Sequence, residues 1–284
     1  EAGANMFYAK VYIDAFNIIG GSCEGGRKRL HRMLDEGTLW WNYIGHAATT
    51  TLSEENLMTS TDINKMYNRR WPIFFGATCS FARHDRNELS GSEIMTLTPG
   101  GGTIAAIAPT RESMITHNGV ISAAFGTKAF ERDENGEFGT IGDIYRNAKN
   151  HLVKTASREV NNQKLYYVLL GDPALLPATP SSRVALEQID GIDVTPDNQC
   201  TIKARQRVKL SGAVYDPAGN IMDDFNGTVS LTMYDAEYST TSNGAYTGGG
   251  KPTQGEKVTF EEQGEKIYVG RDSIRNGRFE AVIA

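Results

Sequence analysis

Cysteine is scarce in this sequence: the 284 residues include three, Cys23, Cys79 and Cys200. Their number is odd, they lie far apart, and no two are spaced as C-x-x-C. Disulfide-rich domains and zinc ribbons both need cysteines paired at short intervals, so the sequence favours neither framework. We therefore expect at least one free thiol. Cys23 lies in a Gly-rich loop where an adventitious reaction is open to it, and Cys200 is expected to start a strand and to be structural.

Strong charge and long apolar runs are also missing. The formal net charge is -5, and no basic run with interleaved aromatic residues occurs, so nothing suggests a nucleic-acid partner or an anionic membrane. No stretch approaches the ~18 consecutive apolar residues of a membrane span. Hydrophobic residues make up 39% of the chain, which is ordinary for a globular protein with a sizeable core.

The two ends of the chain resemble the interior of a longer protein. There is no initiator Met, and strand-like patterns run through 7–13 and 279–283, close to either end. We therefore expect an excised fragment, in which a first domain lacks its N-terminal part and a second domain stops inside a strand.

Residues 1–178 alternate between strand and helix patterns, which predicts an α/β domain. Such alternation implies right-handed crossovers and a mostly parallel sheet with helices on both faces. An S-x-x-E capping box at Ser90 and Glu93 marks the start of one helix. Strands are predicted at 8–13, 38–44, 72–78, 103–108 and 165–170, and helices at 26–36, 62–67, 90–97, 118–130 and 141–152.

A linker rich in Pro and Ser ends this domain, and the texture of the sequence then changes. Residues 179–284 show short strands separated by Gly, Asp and Asn turns, with no helical period. This pattern predicts an all-β, immunoglobulin-like sandwich domain. Its strands are predicted at 183–189, 207–215, 227–234, 257–260, 266–269 and 278–283.

Two apolar strands of the first domain each end at a reactive side chain. His46 follows the strand at 38–44, and Cys79 follows the strand at 72–78. If both strands are parallel, the two side chains emerge at one edge of the sheet, on strands that lie ~4.8 Å apart when adjacent. An imidazole can take the proton of a neighbouring thiol, so Cys79 is the candidate nucleophile and His46 its base.

The backbone just after each strand offers free N–H groups, and the amides of Cys79 and Ala47 are the candidate oxyanion-hole donors. Spacing alone also allows a non-catalytic role, because a Cys after an apolar strand is often buried and inert. A zinc site from Cys79, His84 and Asp85 lacks tetrahedral ligand spacing. We expect no metal and no cofactor.

Three segments carry a resemblance to a known family. The segments at 42–46 (NYIGH), 77–81 (ATCSF) and 169–173 (LLGDP) resemble the gingipain family of cysteine peptidases, which is related to the caspases. The resemblance covers roughly 5–178 and implies a caspase-like fold with Cys79 and His46 as the catalytic dyad. Details of the Cys79 segment are most similar to the branch that serves as the sortase of the type IX secretion system.

What this branch does gives the expected function. The resemblance implies an acyl-enzyme on Cys79 that removes C-terminal signal domains from secreted cargo proteins and passes the cargo to an amine of a surface glycolipid or to water. It implies a place at the bacterial cell surface, outer-membrane associated or secreted, with outer-membrane secretion components as partners. Two alternatives stay open: a general secreted endopeptidase of the gingipain type, and an inactive surface scaffold that binds a partner through the β-sandwich.

The sequence also departs from the family. The family has Gly after the catalytic His, where this chain has Ala47, and the acid that supports the His is expected upstream of the fragment. The loop at 109–118 is implied to line the substrate pocket, although it can equally be a surface connection. Since Glu112 is the only acid in this loop, we expect small or neutral residues at the cleavage site. The candidate substrate-binding residues are Ile44, Arg111, Glu112, Met114 and Ile115.

Overall fold

The computed structural model describes residues 6–134, 136–195, 197–198, 200–203, 205–244, 246–247, 251–252 and 257–283. The chain divides into two compact units. The first consists mainly of Tyr8–Thr179 with Thr240–Phe260, and the second mainly of Pro180–Ser239 with Glu261–Ala284. Across the described ranges, no helix combines the length and the apolar character needed to cross a membrane.

The first unit is built on a four-stranded sheet, whose order is β1-β4-β5-β6. Strands β1, β4 and β5 are parallel, as the alternating pattern predicts, whereas β6 pairs with β5 in the antiparallel sense. The reversal arises because β6 begins opposite the carboxyl end of β5, where Tyr167 pairs with Pro109. The strands are β1 (Trp40–Ile44), β2 (Thr51–Leu52), β3 (Met58–Thr59), β4 (Ile73–Ala77), β5 (Ala105–Pro109) and β6 (Tyr167–Leu170), with β2 and β3 forming a separate ladder.

Helices precede and connect these strands, and their starts follow from local capping. Ser90 and Glu93 form the predicted capping box, in which the Ser90 N–H donates to the Glu93 carboxylate at 2.8 Å. The helices are α1 (Glu24–Glu36), α2 (Ser60–Asn64), α3 (Gly91–Leu97), α4 (Ile115–Ala129), α5 (Ile141–Thr155) and α6 (Arg158–Gln163), with 3₁₀ turns at Ile13–Ala15 and Lys164–Tyr166.

Alternate residues of the central strand face opposite sides of the sheet, and each side is covered by helices. Phe74 packs in a cluster with side chains of α1, α2 and α3, whereas Phe75 packs with side chains of α4 and α5. Both rings are fully buried, and burial of a side chain of this size stabilises the fold by about 1.5–3 kcal/mol. The helix-covered sheet predicted for this domain is therefore found.

Three local predictions are wrong. Residues 8–12 form no strand, because β-formers need a paired neighbour and none of the described strands pairs with them. Helix α4 starts at Ile115 rather than at residue 118, and α6 was not predicted at all. Asp14 lies in the 3₁₀ turn that follows these residues and is held by the N–H groups of Asn243 and Gly244, at 2.8 Å to its carbonyl and 3.1 Å to its carboxylate.

The second unit is all-β. Its main feature is a six-stranded antiparallel sheet in the order β10-β15-β16-β9-β7-β8, and most predicted strands fall within it. The described residues show this one large sheet rather than two facing sheets, so the immunoglobulin-like sandwich stays a prediction. The strands of this sheet are β7 (Arg183–Ile189), β8 (Ile192–Asp193), β9 (Val208–Tyr215), β10 (Gly227–Tyr234), β15 (Lys266–Arg275) and β16 (Arg278–Ile283). Strands β12 (Tyr246–Thr247) and β13 (Lys251–Pro252) lie in the part of the first unit that spans Thr240–Phe260, and β11 (Tyr238–Thr241) and β14 (Thr259–Glu262) extend across its two ends.

One glycine turn of the first unit gives a test of this packing. Gly102 has φ +95°, and a Cβ there would lie 2.1 Å from the Met95 carbonyl oxygen. We expect Gly102→Ala to lower the free energy of unfolding by about 2 kcal/mol or more, because it adds a steric clash to a left-handed backbone. Urea unfolding of the purified protein measures the change.

Gly119→Ala is the matched control. Gly119 lies within α4, and a Cβ at this position would meet nothing within 4 Å. Alanine is favoured over glycine inside a helix by about 0.5–1 kcal/mol, so this variant should keep or gain stability. Equal losses in both variants would contradict the packing of the Gly102 turn.

Candidate active site

The register between β1 and β4 determines where the two predicted catalytic residues lie. Ile44 pairs with Ala77 at the end of both strands, and the Gly45 N–H extends the ladder by donating to the Ala77 carbonyl at 3.3 Å. Because the strands are parallel, His46 and Cys79 follow at the same carboxyl edge of the sheet, each two residues beyond this last pair. His46 is exposed and Cys79 is half-buried.

The loop that carries His46 is folded back onto its own strand. The hydroxyl of the buried Tyr43 donates to the His46 carbonyl at 2.5 Å, and the Ser53 N–H donates to the same oxygen at 2.9 Å. Burial, together with the nearby charge of Glu55, raises the pKa of Tyr43, so its hydroxyl stays a donor. A side chain at Gly45 would collide with this ring, since its Cβ would lie 2.8 Å from the Tyr43 oxygen.

The chain turns sharply after Cys79. Ser80 has a left-handed backbone, with φ 46°, and its N–H donates to the Arg111 carbonyl at 3.1 Å. The turn brings the Cys79 thiol against Ser113: the Ser113 N–H lies 3.4 Å from Sγ, and the thiol donates to the Ser113 carbonyl at 3.4 Å. The nucleophile candidate is thus held by the segment that follows β5.

Both candidate oxyanion donors have unused N–H groups. Ala47 lies opposite Leu52 in an antiparallel bridge. The hydrogen bonds of this bridge are made by the residues on either side of the pair, for example from the Ala48 N–H to the Thr51 carbonyl at 2.9 Å. Within the described ranges, neither the Cys79 amide nor the Ala47 amide donates to any group. An oxyanion hole requires N–H groups without another partner close to the reacting carbonyl, and the assignment of these two amides to that role stays a prediction.

The predicted substrate-binding residues are all at the surface, and they differ in how they are held. Ile44, Met114 and Ile115 are 53%, 62% and 59% exposed. Glu112 is exposed as well. These four side chains are therefore not part of the core, and their role in substrate binding stays a prediction.

Arg111 is engaged by a carboxylate. Its guanidinium lies 2.9 Å from Asp85, whose other oxygen accepts from Arg83 at 2.9 Å. The hydrogen bond from Arg83 and the charge of Arg111 hold the pKa of Asp85 below its usual range. Asp85 thus pairs with two arginines, and the expectation that this site holds no metal stays a prediction.

The other cysteines have different surroundings. Cys23 is fully buried, and this burial raises the pKa of its thiol, so it is not a reactive loop residue. Cys200 is half-buried and lies outside every strand, which contradicts its predicted place at the start of one.

Sequence reasoning missed Ser113 and the buried polar residues behind it, Asn118, Gln163 and Tyr167. One signal was available: Asn118 lies on the same helix face as Ile121 and Phe125, so a polar amide interrupts the buried stripe of α4. A buried amide needs hydrogen-bond partners.

Comparison with known proteins decides the family. The profile of peptidase family C25 matches residues 3–178. The chain belongs to peptidase family C25. This membership confirms the resemblance to the gingipain-type cysteine peptidases, and no curated protein matches the chain.

Solved structures agree with a fold of the C25 kind. The Arg-specific cysteine proteinase gingipain R (RgpB) is 17% identical, with a TM-score of 0.50 over 90% of this chain and 55% of that chain. Dimeric latent PorU from Porphyromonas gingivalis is 25% identical over 64% of this chain and 16% of that chain, with a TM-score of 0.31. This C25 chain therefore spans about half the length of gingipain R.

The environments of the three cysteines predict an order of alkylation. With limiting iodoacetamide near neutral pH, we expect Cys79 to be labelled first, because it is accessible and beside a backbone donor. Cys23 should be labelled last, because it is buried and its pKa is raised. Mass-spectrometric mapping of the labelled peptides measures the order.

The control for this labelling is Cys79→Ala, which should remove the fastest label and leave the slower labels unchanged. In denaturant, where burial is lost, the three thiols of the unsubstituted chain should react at similar rates. Faster labelling of Cys23 or Cys200 in the folded protein would contradict the assignment of the reactive thiol.

Proposed function

We propose that this chain carries the catalytic centre of a cysteine peptidase, with Cys79 as nucleophile and His46 as general base. The observation that carries the proposal is the parallel register of β1 and β4, which leads both residues out at one sheet edge in a chain of family C25. Strand ends of this kind are where α/β proteins bind their ligands.

The chemistry follows from the groups at this edge. The Cys79 sulfur attacks the carbonyl carbon of a peptide bond while the thiol proton passes to the His46 imidazole. The carbonyl oxygen becomes negatively charged and is stabilised by the amides of Cys79 and Ala47. His46 then gives its proton to the leaving amine as the C–N bond breaks, which leaves a thioester on Cys79.

The second half of the reaction distinguishes a peptidase that hydrolyses its substrate from one that transfers the acyl group. Attack of water on the thioester completes peptide hydrolysis, whereas attack of an amine transfers the acyl group. We propose transfer of the sortase kind: removal of the C-terminal signal domains of type IX secretion cargo at the bacterial cell surface, with a glycolipid amine as acceptor and outer-membrane secretion components as partners. Support for this branch comes from the sequence around Cys79, with Phe81, Arg83 and Asp85.

Two alternatives are weighed against this proposal. A general secreted endopeptidase would use the same dyad and differ only in water as the acceptor. An inactive scaffold was suggested by Ala47 in the place of the family's Gly. The N–H of Ala47 is retained and makes no hydrogen bond with the described residues, which favours an active centre over the scaffold.

Substitution of the dyad tests the peptidase proposal. In the intact protein, Cys79→Ala and His46→Ala should each lower the rate of peptide-ester cleavage by about 10³-fold or more, because each removes a residue that acts in the bond-breaking step. Stopped-flow or mass detection of the thioester measures the step directly. Circular dichroism should show an unchanged fold, since neither side chain is part of the core.

The control is Cys200→Ala, which should retain full activity. Retained cleavage in Cys79→Ala would eliminate the nucleophile assignment. Addition of a primary amine such as glycine amide then separates the branches: an amide product indicates transfer, and free acid alone indicates hydrolysis.

The exposed pocket segment predicts the cleavage preference. Glu112 is exposed, and Arg111 adds a positive charge beside it, so a cationic substrate side chain gains little here. We expect a peptide library to show a preference for small or neutral residues before the cleaved bond. Strong selection for Arg or Lys that is lost in Glu112→Gln, but kept in the distant control Glu134→Gln, would overturn this expectation.

A further inference from the structure

The Cys79 thiol is in contact with a backbone group that the mechanism above does not use. The Ser113 N–H points at Sγ from 3.4 Å, while the Ser113 hydroxyl lies 3.7 Å from the same sulfur. An N–H aimed at sulfur favours the thiolate over the thiol, because a hydrogen bond strengthens when its acceptor becomes charged.

Ser113 is fixed in this position by its own hydroxyl. The hydroxyl donates to the Thr78 carbonyl, one residue before the nucleophile, at 2.5 Å. The amide nitrogen of Asn118 donates both to the Ser113 hydroxyl at 2.9 Å and to the Thr78 carbonyl at 3.3 Å. The end of β4 and the segment before α4 are therefore joined on either side of the sulfur.

The orientation of Asn118 is determined by two donors behind it. Its side-chain oxygen accepts from the Tyr167 hydroxyl at 2.8 Å and from the Gln163 amide at 2.7 Å, so its NH₂ group must face Ser113. Asn118 is 2% exposed, Gln163 is 5% exposed and Tyr167 is fully buried. Burial, with a further contribution from Cys79, raises the pKa of Tyr167, which keeps this hydroxyl a donor.

Gln163 also holds the backbone between Ser113 and Asn118. Its side-chain oxygen accepts from the Met114 N–H at 2.8 Å and from the His117 ring at 3.1 Å, and its nitrogen donates to the Met114 carbonyl at 3.2 Å. One buried side chain of α6 thus serves both the start of α4 and the amide of Asn118.

We infer that the Ser113 N–H holds the Cys79 thiolate, and that Asn118, Gln163 and Tyr167 form a buried positioning network that keeps this N–H on the sulfur. The inference rests on the proposed function, in which Cys79 must lose its proton to react. When the thiol gives its proton to His46, its bond to the Ser113 carbonyl is lost and the N–H bond to sulfur strengthens. Ser113 contacts the reacting atom, whereas the other three residues act through Ser113.

The test compares alkylation of Cys79 by iodoacetamide across a pH series in three variants of the intact protein. Ser113→Ala removes the hydroxyl anchor but keeps the N–H, and Asn118→Leu removes the donor while keeping the approximate volume. Ser122→Ala is the matched control, because Ser122 is a buried serine of α4 that donates at 3.1 Å to Asn42 on β1, away from the network. The ionisable residues that contact the network or belong to it, His117 and Tyr167, are unchanged in all three variants.

The expected result is a fall of about tenfold in the alkylation rate at pH 7 for Asn118→Leu, with the half-maximal rate reached at a higher pH. Loss of Asn118 releases Ser113 from its position, and the bond from the Ser113 N–H to the charged sulfur, which contributes about this factor, is then lost. The alkylation rate of Ser113→Ala should also fall, but by a smaller factor, and the rate of Ser122→Ala should equal that of the unsubstituted protein. Thermal unfolding of every variant is recorded alongside.

An alkylation profile unchanged in both Ser113→Ala and Asn118→Leu, even with lowered thermal stability, would overturn the inference and leave a network that only stabilises the fold. If Asn118→Leu does not fold, the comparison of Ser113→Ala with the control Ser122→Ala decides the inference. The proposed peptidase function is judged separately by thioester formation in the unsubstituted protein. A slower Cys79 in the variants with no thioester in the unsubstituted protein would support the network and reject the peptidase.

Discussion

The hydrogen-bonded register between β1 and β4 is the constraint on which the candidate site depends. Pairing of Ile44 with Ala77 brings the two chain segments that carry His46 and Cys79 out of the sheet together. The start of α3 supports this arrangement, because the Gly91 N–H donates to the Thr49 carbonyl at 2.8 Å and the Ser92 N–H donates to the Phe81 carbonyl at 3.0 Å. A slip by one residue would turn every side chain of one strand to the opposite face, so Phe74 and Phe75 would exchange their helix layers. The packing of these two rings therefore holds the register that determines which residues follow the two strand ends.

Polar groups beneath the thiol are tolerated because almost all of them are satisfied. An unpaired buried amide costs about 1–3 kcal/mol, yet Asn118 and Gln163 use both their oxygen and their nitrogen atoms. The hydroxyl of Thr78 is an exception, since it is buried without a partner among the described residues. A network this well paired has one geometry, which is the property that a reactive thiol needs from its support.

The parallel strands of the first unit and the positions of His46 and Cys79 just past two strand ends could be predicted from the sequence, because both follow from local patterns: apolar runs, helical periods and the rule for parallel strands. The reversed direction of β6 could not be predicted, since a strand pattern does not encode the partner's direction. The start of α4 was missed because its first free amide is satisfied by Gln163, a residue distant in sequence. The strand predicted at 8–13 was wrong for a related reason. A high β-propensity does not form a strand unless another strand lies alongside to pair with it. The full burial of Cys23 could not be predicted from its Gly-rich surroundings, because burial is a property of the packed chain.

The hydrogen bonds between Gln163 and the Met114 backbone separate two properties of the segment before α4. These are the conformation of its backbone and the identity of its side chains, which usually depend on each other in a loop. Its backbone is held by Gln163, a buried side chain of α6, whereas Met114 and Ile115 on the same segment have exposed side chains. Substitution of these exposed side chains would leave the hydrogen bonds between Gln163 and the Met114 backbone in place. The surface of the segment can therefore change in shape while the bonds that hold its backbone are kept.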